Sequence, residues 1–194
     1  MNINKYIEMI DSSEEFLFNL KKSEEFKYYP CLTGLNEFGN SLELGFTTFA
    51  LKILKMINKL DRDPKVLSEW SEFINSFQTN KFRNIPNNFY VDPAMVSSYD
   101  NYSIRDSLKD NTKKILNKFG KNYDTHETKF IKSVNAETKQ AVATLIEVGF
   151  KNKNKLEIDL DKDDLYKLLN NLNWGKALEC WRPIFYILCL YIVS

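Results

Sequence analysis

Hydrophobic residues recur at helical spacing along much of this chain, most clearly in residues 41–60. Leu, Phe and Ile side chains fall on one broad face of that segment at the i, i+3, i+4 intervals of an α-helix. The members of this face are Leu42, Phe46, Phe49, Ile53, Ile57 and Leu60, widened by Leu44, Leu51 and Leu54. The polar stripe consists of Thr48, Lys52, Lys55 and Lys59. The pattern predicts a helix mostly enclosed by its neighbours, with Phe46, Phe49 and Ile53 in the core.

Six further segments carry helical periodicity or helix boundary signals. Asp63 followed by Pro64 is a strong helix start, because the aspartate accepts free backbone amides and proline loses no hydrogen bond at the first position. Gly120 and Gly149 suit left-handed caps at the ends of two other helices. The segments are 5–22, with a candidate break at 11–13, then 63–78, 104–119, 136–148, 161–171 and 176–193. About seven helices in antiparallel hairpins follow, which is an all-α fold.

Two stretches lack sustained periodicity and are predicted to be loops. Residues 28–40 collect prolines, glycines and aromatic residues before the helix at 41. Residues 79–103 are rich in Asn, Pro, Ser and Tyr, and a loop of that length in a compact domain is often functional. We favour the alternative, a surface connection held by Phe82, Phe89 and Tyr90.

The composition favours one globular helical domain over residues 1–194. Apolar residues make up 43% and charged residues 27% of the 194 positions, which is ordinary for a soluble protein. The 27 basic residues nearly balance the 26 acidic ones. A net charge of +1 cannot produce the broad positive field that binding to a phosphate backbone requires. Nucleic acid is therefore not expected as a partner.

The cysteines and the chain ends indicate a cytoplasmic protein. Cys31, Cys180 and Cys189 are scattered, with neither the spacing of a zinc site nor that of a disulfide framework. The N-terminus carries acids and no signal peptide. The apolar run IFYILCLYIV at 184–193 is about half the roughly 20 residues that a membrane span needs. We expect a core helix there, which leaves an apolar patch for another protein subunit; a membrane-associated C-terminus is the alternative.

Five strings in this order resemble a group of bacterial proteins of unknown activity in the terpenoid-cyclase and protein-prenyltransferase α/α-toroid class. They are LGFTTFALKI at 44–53, EWSEFINSFQ at 69–78, FYVDP at 89–93, AETKQAVATL at 136–145 and LNNLNW at 169–174. None of these strings is a catalytic signature. The resemblance therefore implies an α/α-toroid fold and no particular activity.

The end of the chain departs from that group. Its members carry an acid-Trp pair followed by Pro-Trp and small residues, whereas this chain has Asn173-Trp174 and then GKALECWRPI. The chain also ends at Ser194 inside an apolar stretch. We therefore expect an incomplete toroid without its closing helices, from a truncated homologue or one half of an assembly.

Three aspartates match a catalytic pattern of this fold class. Asp161, Asp163 and Asp164 fit the D-x-D-D arrangement in which a class II terpene cyclase keeps one carboxylic acid neutral and strongly acidic. Lysines and asparagines surround them at a predicted helix start, where solvated acids stabilise the free amides. We favour this capping role, because a proton donor needs burial to shift its pKa.

No metal or cofactor is expected. The aspartates at 159, 161 and 163 imitate the start of an EF-hand loop, but the turn glycine and the bidentate glutamate of that loop are missing. Prenyltransferases of the resembling class bind zinc through Asp, Cys and His. The single histidine, His126, lies in a polar segment far in sequence from every cysteine, so we predict a surface residue.

Glu137 is the most interesting candidate residue. Together with Thr138 and Gln140 it interrupts a helix that is otherwise small and apolar. If that helix lined a toroid cavity, Glu137 would be a partly buried acid or base with a raised pKa. The alternative, which we favour, is a helix start with Asn135 as N-cap.

Two functions remain after these arguments. The first is a non-catalytic scaffold or partner-binding module. The second is an enzyme or enzyme remnant acting on a glycan or isoprenoid in the toroid cavity. A polar pocket that holds Glu137 or Glu43 beside a second titratable group would favour the enzyme.

Overall fold

The computed structural model describes residues 3–157 except 62, 81 and 83, together with 163, 167 and 170. Helices account for 62% of this part of the chain, which contains no strand and only isolated β-bridges. They are α1 Ile3–Leu20, α2 Glu37–Ser41, α3 Leu44–Met56, α4 Pro64–Asn75, α5 Pro93–Asp100, α6 Ile104–Lys118 and α7 His126–Glu147. The all-α class is confirmed. Residues 163, 167 and 170 are helical, but the rest of the helix predicted at 161–171 and the helix at 176–193 lie outside the described residues.

The centre of the molecule is the contact between α3 and α7. Helices α1 and α4 also pack on α3, and α4 and α5 also pack on α7. The buried face of α7 is built largely from small side chains, including Thr138, Ala141, Val142 and Ala143. Leu44, Leu51 and Leu145 are fully buried. Helix α3 is therefore a central helix, as its composition predicted.

The orientation predicted for α3 was wrong. Thr48, placed on the polar stripe, is fully buried, while Phe49, placed in the core, is 53% exposed. Phe46 and Ile53 are half-buried. Threonine is tolerated inside because its hydroxyl can bond to a nearby backbone carbonyl, and Thr47 donates to Phe26 O at 2.6 Å and Thr48 to Gly45 O at 2.8 Å.

The helix boundaries were predicted correctly where a cap signal was used. Asp63 accepts from Lys65 N at 2.9 Å and Pro64 opens α4. Gly120 and Gly149 have φ of +81° and +89° after α6 and α7. Helix α1 runs unbroken through residues 11–13. Helix α2, inside the predicted loop at 28–40, was missed.

Helix α7 begins at His126 rather than at residue 136. Its N-cap is Thr125, whose hydroxyl accepts from Thr128 N at 3.2 Å. Asn135 therefore lies inside the helix, and its predicted role as N-cap was wrong. The polar sequence of the first turns hid this start, because the hydrophobic pattern strengthens only after residue 136.

The predicted loop at 79–103 is partly core. It contains α5, and Phe89, Tyr90 and Val91 before α5 are buried. Side-chain amides tie this segment to residues 151–157: Asn88 donates to Lys155 O at 2.7 Å, and Gln78 donates to Asn154 O at 2.9 Å. The expected surface connection is thus a buried irregular layer against α7.

Hydrophobic length is limited throughout the described helices. None of them combines the length and apolarity that crossing a bilayer demands.

Candidate functional site

Glu137 lies in the middle of α7 and is partly buried, so it is not at a helix start. Its Oε2 accepts the backbone N–H of Asp92 at 3.4 Å. Its Oε1 lies 3.8 Å from the position that a Cβ on Gly45 would occupy, beside the first turn of α3. The carboxyl group therefore sits where α7, the start of α3 and the residue before α5 meet.

Asp92 is the second acid of this site and was missed as a functional residue. It is 1% exposed. Its Oδ2 accepts Glu43 N at 2.7 Å and Leu44 N at 3.0 Å, while its Oδ1 accepts Ala94 N at 2.9 Å. One carboxylate thus caps both α3 and α5. The signal was present, since Asp92-Pro93 repeats the Asp-Pro helix start recognised at Asp63-Pro64.

The environment of Glu137 disfavours its charged form. Burial, followed by the negative charge of Asp92, raises the pKa of Glu137 to about 8, although the N–H of Asp92 opposes the shift. The side chain is therefore mainly a neutral carboxylic acid at pH 7. Such a group can donate a proton, and a raised pKa is a common property of catalytic acids.

The neighbouring polar residues of α7 have structural roles. Thr138 is 1% exposed, and its hydroxyl lies 3.1 Å from Tyr90 N and 3.3 Å from Tyr90 O. Glu137 and Thr138 thus bind consecutive parts of the buried segment before α5. The amide Nε2 of Gln140 is buried and has no hydrogen-bond partner in the described part of the chain. The polar interruption AETKQ therefore docks an irregular segment onto the helix.

Glu43 borders a different feature, a polar cleft of about 680 Å³. Its carboxylate bonds to Lys27 Nζ at 2.9 Å, and Lys27 also pairs with Glu24. The hydrogen bond from Lys27 lowers the pKa of Glu24. Lys22 and Tyr29 line the same cleft, but Glu137 does not. Glu43 and Glu137 thus flank the start of α3 without sharing a pocket.

His126 is not the solvated surface residue that its sequence neighbours predicted. Its ring stacks between Tyr99 and Tyr102, with centroids 4.4 Å and 4.1 Å away. Its backbone N–H donates to Asp110 Oδ1 at 2.7 Å. The histidine therefore fastens the start of α7 to α6.

The remaining candidates do not join this site. Asp163 is exposed, while Asp161 and Asp164 lie outside the described residues. Among the residues that the structure describes, no three His, Cys, Asp or Glu side chains are placed to share a metal ion. No cavity lined by described residues alone includes Glu137. The Glu137 and Asp92 pair is therefore a proton-binding site without a described substrate space.

No protein family, curated protein or solved structure matches this chain. Its function must be argued from its own geometry.

Proposed function

We propose that this protein is a non-catalytic partner-binding module that presents helix α6 as its docking element. One observation carries the proposal: α6 turns its polar face toward the protein and its apolar face outward. An amphipathic surface helix ordinarily has the opposite orientation. The exposed apolar residues on this face are Ile104, Leu108, Ile115 and Phe119, at 84%, 65%, 56% and 79% exposure.

The four exposed residues form a continuous outer stripe. On a helix of 3.6 residues per turn they fall within an arc of about 60°. Asp110 is the only residue of α6 that is buried. The stripe thus runs the length of the helix without covering any of the core.

Polar contacts hold the opposite face of α6 to the body. Asp110 accepts from His126 N, Lys113 Nζ donates to Asp124 O at 3.1 Å, and Asn117 bonds to the backbone of Tyr123 at 2.7 Å and 2.9 Å. Burial raises the pKa of Asp110, but the His126 N–H and Lys114 outweigh it and lower that pKa overall. The outward orientation of the apolar stripe is therefore fixed by specific bonds. Large exposed apolar stripes mark binding surfaces.

Site-specific crosslinking tests this proposal. A photoreactive residue replaces Leu108 in cells, and a second chain carries it at the exposed Lys65 of α4 as a control. We expect a crosslinked adduct from position 108 and none from position 65. Ile115→Ser with Phe119→Ser should abolish the adduct while the circular dichroism spectrum is unchanged. An adduct that survives this double change, or none at any stripe position, contradicts the proposal.

The enzyme is the second candidate, and the raised pKa of Glu137 favours it. In that version Glu137 would be the acid, and its substrate would be a glycan or isoprenoid. The Glu137→Gln variant tests it, because loss of turnover on such a substrate with unchanged stability of binding would identify a catalytic acid.

The proposed fold is an incomplete α/α toroid with α3 and α7 among its inner helices, and its support is the resemblance of the five strings. The proposed compartment is the cytoplasm, where the free and exposed thiol of Cys31 would stay reduced. The apolar run at 184–193 is proposed as a further surface for another subunit. An experimental structure of the chain would test the toroid arrangement.

A further inference from the structure

A second helix, α1, also leaves apolar residues without a packing partner. Among its 18 residues only Leu17 and Leu20 are buried. Toward its beginning Ile3, Tyr6, Ile7 and Met9 are exposed, at 74%, 43%, 50% and 55%. The apolar side that enters the core at Leu17 thus continues beyond the core over the first half of the helix.

The two helices carry opposite charge. Helix α6 contains five basic residues and two aspartates, whereas α1 contains four acids and one lysine. Lys59 of the same chain pairs with Glu14 at 2.6 Å and lies 3.9 Å from Asp11. No ion pair between described residues engages Glu8 or Glu15 of α1, or Arg105 or Lys118 of α6. These four exposed charges are open to a partner.

We propose that the outward face of α6 binds α1 of a second copy of this chain, head to tail. The inference rests on the proposed function, because it names the occupant of the same α6 surface. Two α6 helices would repel each other through their excess of basic residues, whereas α1 offers both an apolar side and acids. The helices also match in length, at about 27 Å for α1 and about 22 Å for α6.

The contact is heterologous, so that each copy has one donor and one acceptor surface and can join two neighbours. A single pair of short helices buries less area than a standard stable interface. We expect association that is weak, reversible and dependent on concentration, and that weakens as salt screens the exposed charges.

Charge reversal in purified protein tests the pairing. Arg105→Glu with Lys118→Glu changes α6, and Glu8→Lys with Glu15→Lys changes α1. Sedimentation velocity should show association for the unaltered chain and an association at least about tenfold weaker for each variant alone. An equimolar mixture of the two variants should associate again, because acidic α6 then meets basic α1. Lys55→Glu with Lys65→Glu, which changes the charge equally elsewhere, should leave association unchanged.

Three outcomes overturn the inference. They are a monomeric unaltered chain at every concentration, equal loss in the Lys55 and Lys65 control, and failure of the mixed variants to associate. Vesicles with anionic lipid provide a separate arm, since a basic amphipathic helix also suits an anionic bilayer. Binding to such vesicles by a chain that stays monomeric would overturn the second-copy partner and leave the proposed docking role of α6 standing. Loss of the crosslink at position 108 in cells would instead remove the proposed function itself.

Discussion

At the scale of single residues, Asp92 has the most concentrated role, because its buried carboxylate accepts backbone N–H groups from the starts of two helices. Asp92→Ala leaves three amides without their acceptor, so we expect the free energy of unfolding to fall by about 3 kcal/mol. Asp63→Ala is the matched control, since that Asp-Pro start is exposed and caps α4 alone. We expect a loss there of about 1 kcal/mol. Urea denaturation measures both, and equal losses would show that Asp92 stabilises only one helix.

Glu137 makes stability depend on pH in the direction opposite to an ordinary paired carboxylate. Its pKa is about 8 in the folded protein, against about 4.3 when unfolded. Between these values the folded chain binds a proton that the unfolded chain has lost, so stability from this group is complete below the lower value and is lost as pH rises toward 8. We expect a fall of about 2 to 4 kcal/mol between pH 5 and pH 8.

Glu137→Gln isolates this contribution, because glutamine keeps the shape but does not titrate. The variant should match the unaltered protein at pH 5 and exceed its stability at pH 8, by denaturation at both pH values. Glu72→Gln on the exposed side of α4 should keep the original slope. A Glu137→Gln variant with that same slope would show that another group is responsible.

At the scale of elements, the beginning of α7 distinguishes the two ways of placing this helix. The structure makes Thr125 the N-cap, whereas the hydrophobic pattern places the start near Asn135. Thr125→Ala should cost about 1 kcal/mol in the free energy of unfolding. Asn135→Ala should be neutral or stabilising by about 0.5 kcal/mol, because alanine is the better residue inside a helix. A larger loss at Asn135 than at Thr125, in chemical denaturation, would favour the later start.

At the scale of the whole molecule, the direction in which α3 faces decides which side chains form the core. Leu51 is fully buried and Phe49 is 53% exposed. We expect Leu51→Ala to destabilise the protein by about 3 kcal/mol through lost burial and a cavity. The larger truncation Phe49→Ala should change stability by no more than about 0.5 kcal/mol. The reverse order of the two losses, in the same denaturation experiment, would mean that α3 is rotated toward the sequence-based prediction.

The same comparison shows how far the sequence leads at the candidate site. Glu137 was identified from polarity alone, since a carboxylate in a small apolar helix stands out. Asp92 was not identified, because its partners Glu43 and Leu44 are distant in sequence and only folding brings their amides to one carboxylate. The cleft beside Glu43 likewise depends on Lys27 and Tyr29, which come from an irregular segment without a predictive pattern.

Local interactions determined from the sequence by itself that the chain is helical, where α4 begins, and where α6 and α7 end. Caps and periodicity are short-range properties, so neighbouring residues suffice to predict them. Tertiary structure alone decided that Thr48 is buried, that residues 89–92 join the core, and that α6 turns its apolar stripe outward. These features depend on hydrogen bonds between segments far apart in the chain, such as those of Asp110 with His126 and Thr138 with Tyr90. Such bonds can reverse the side of a helix that hydrophobicity alone would bury, because a buried polar group is stable only where its partner is supplied.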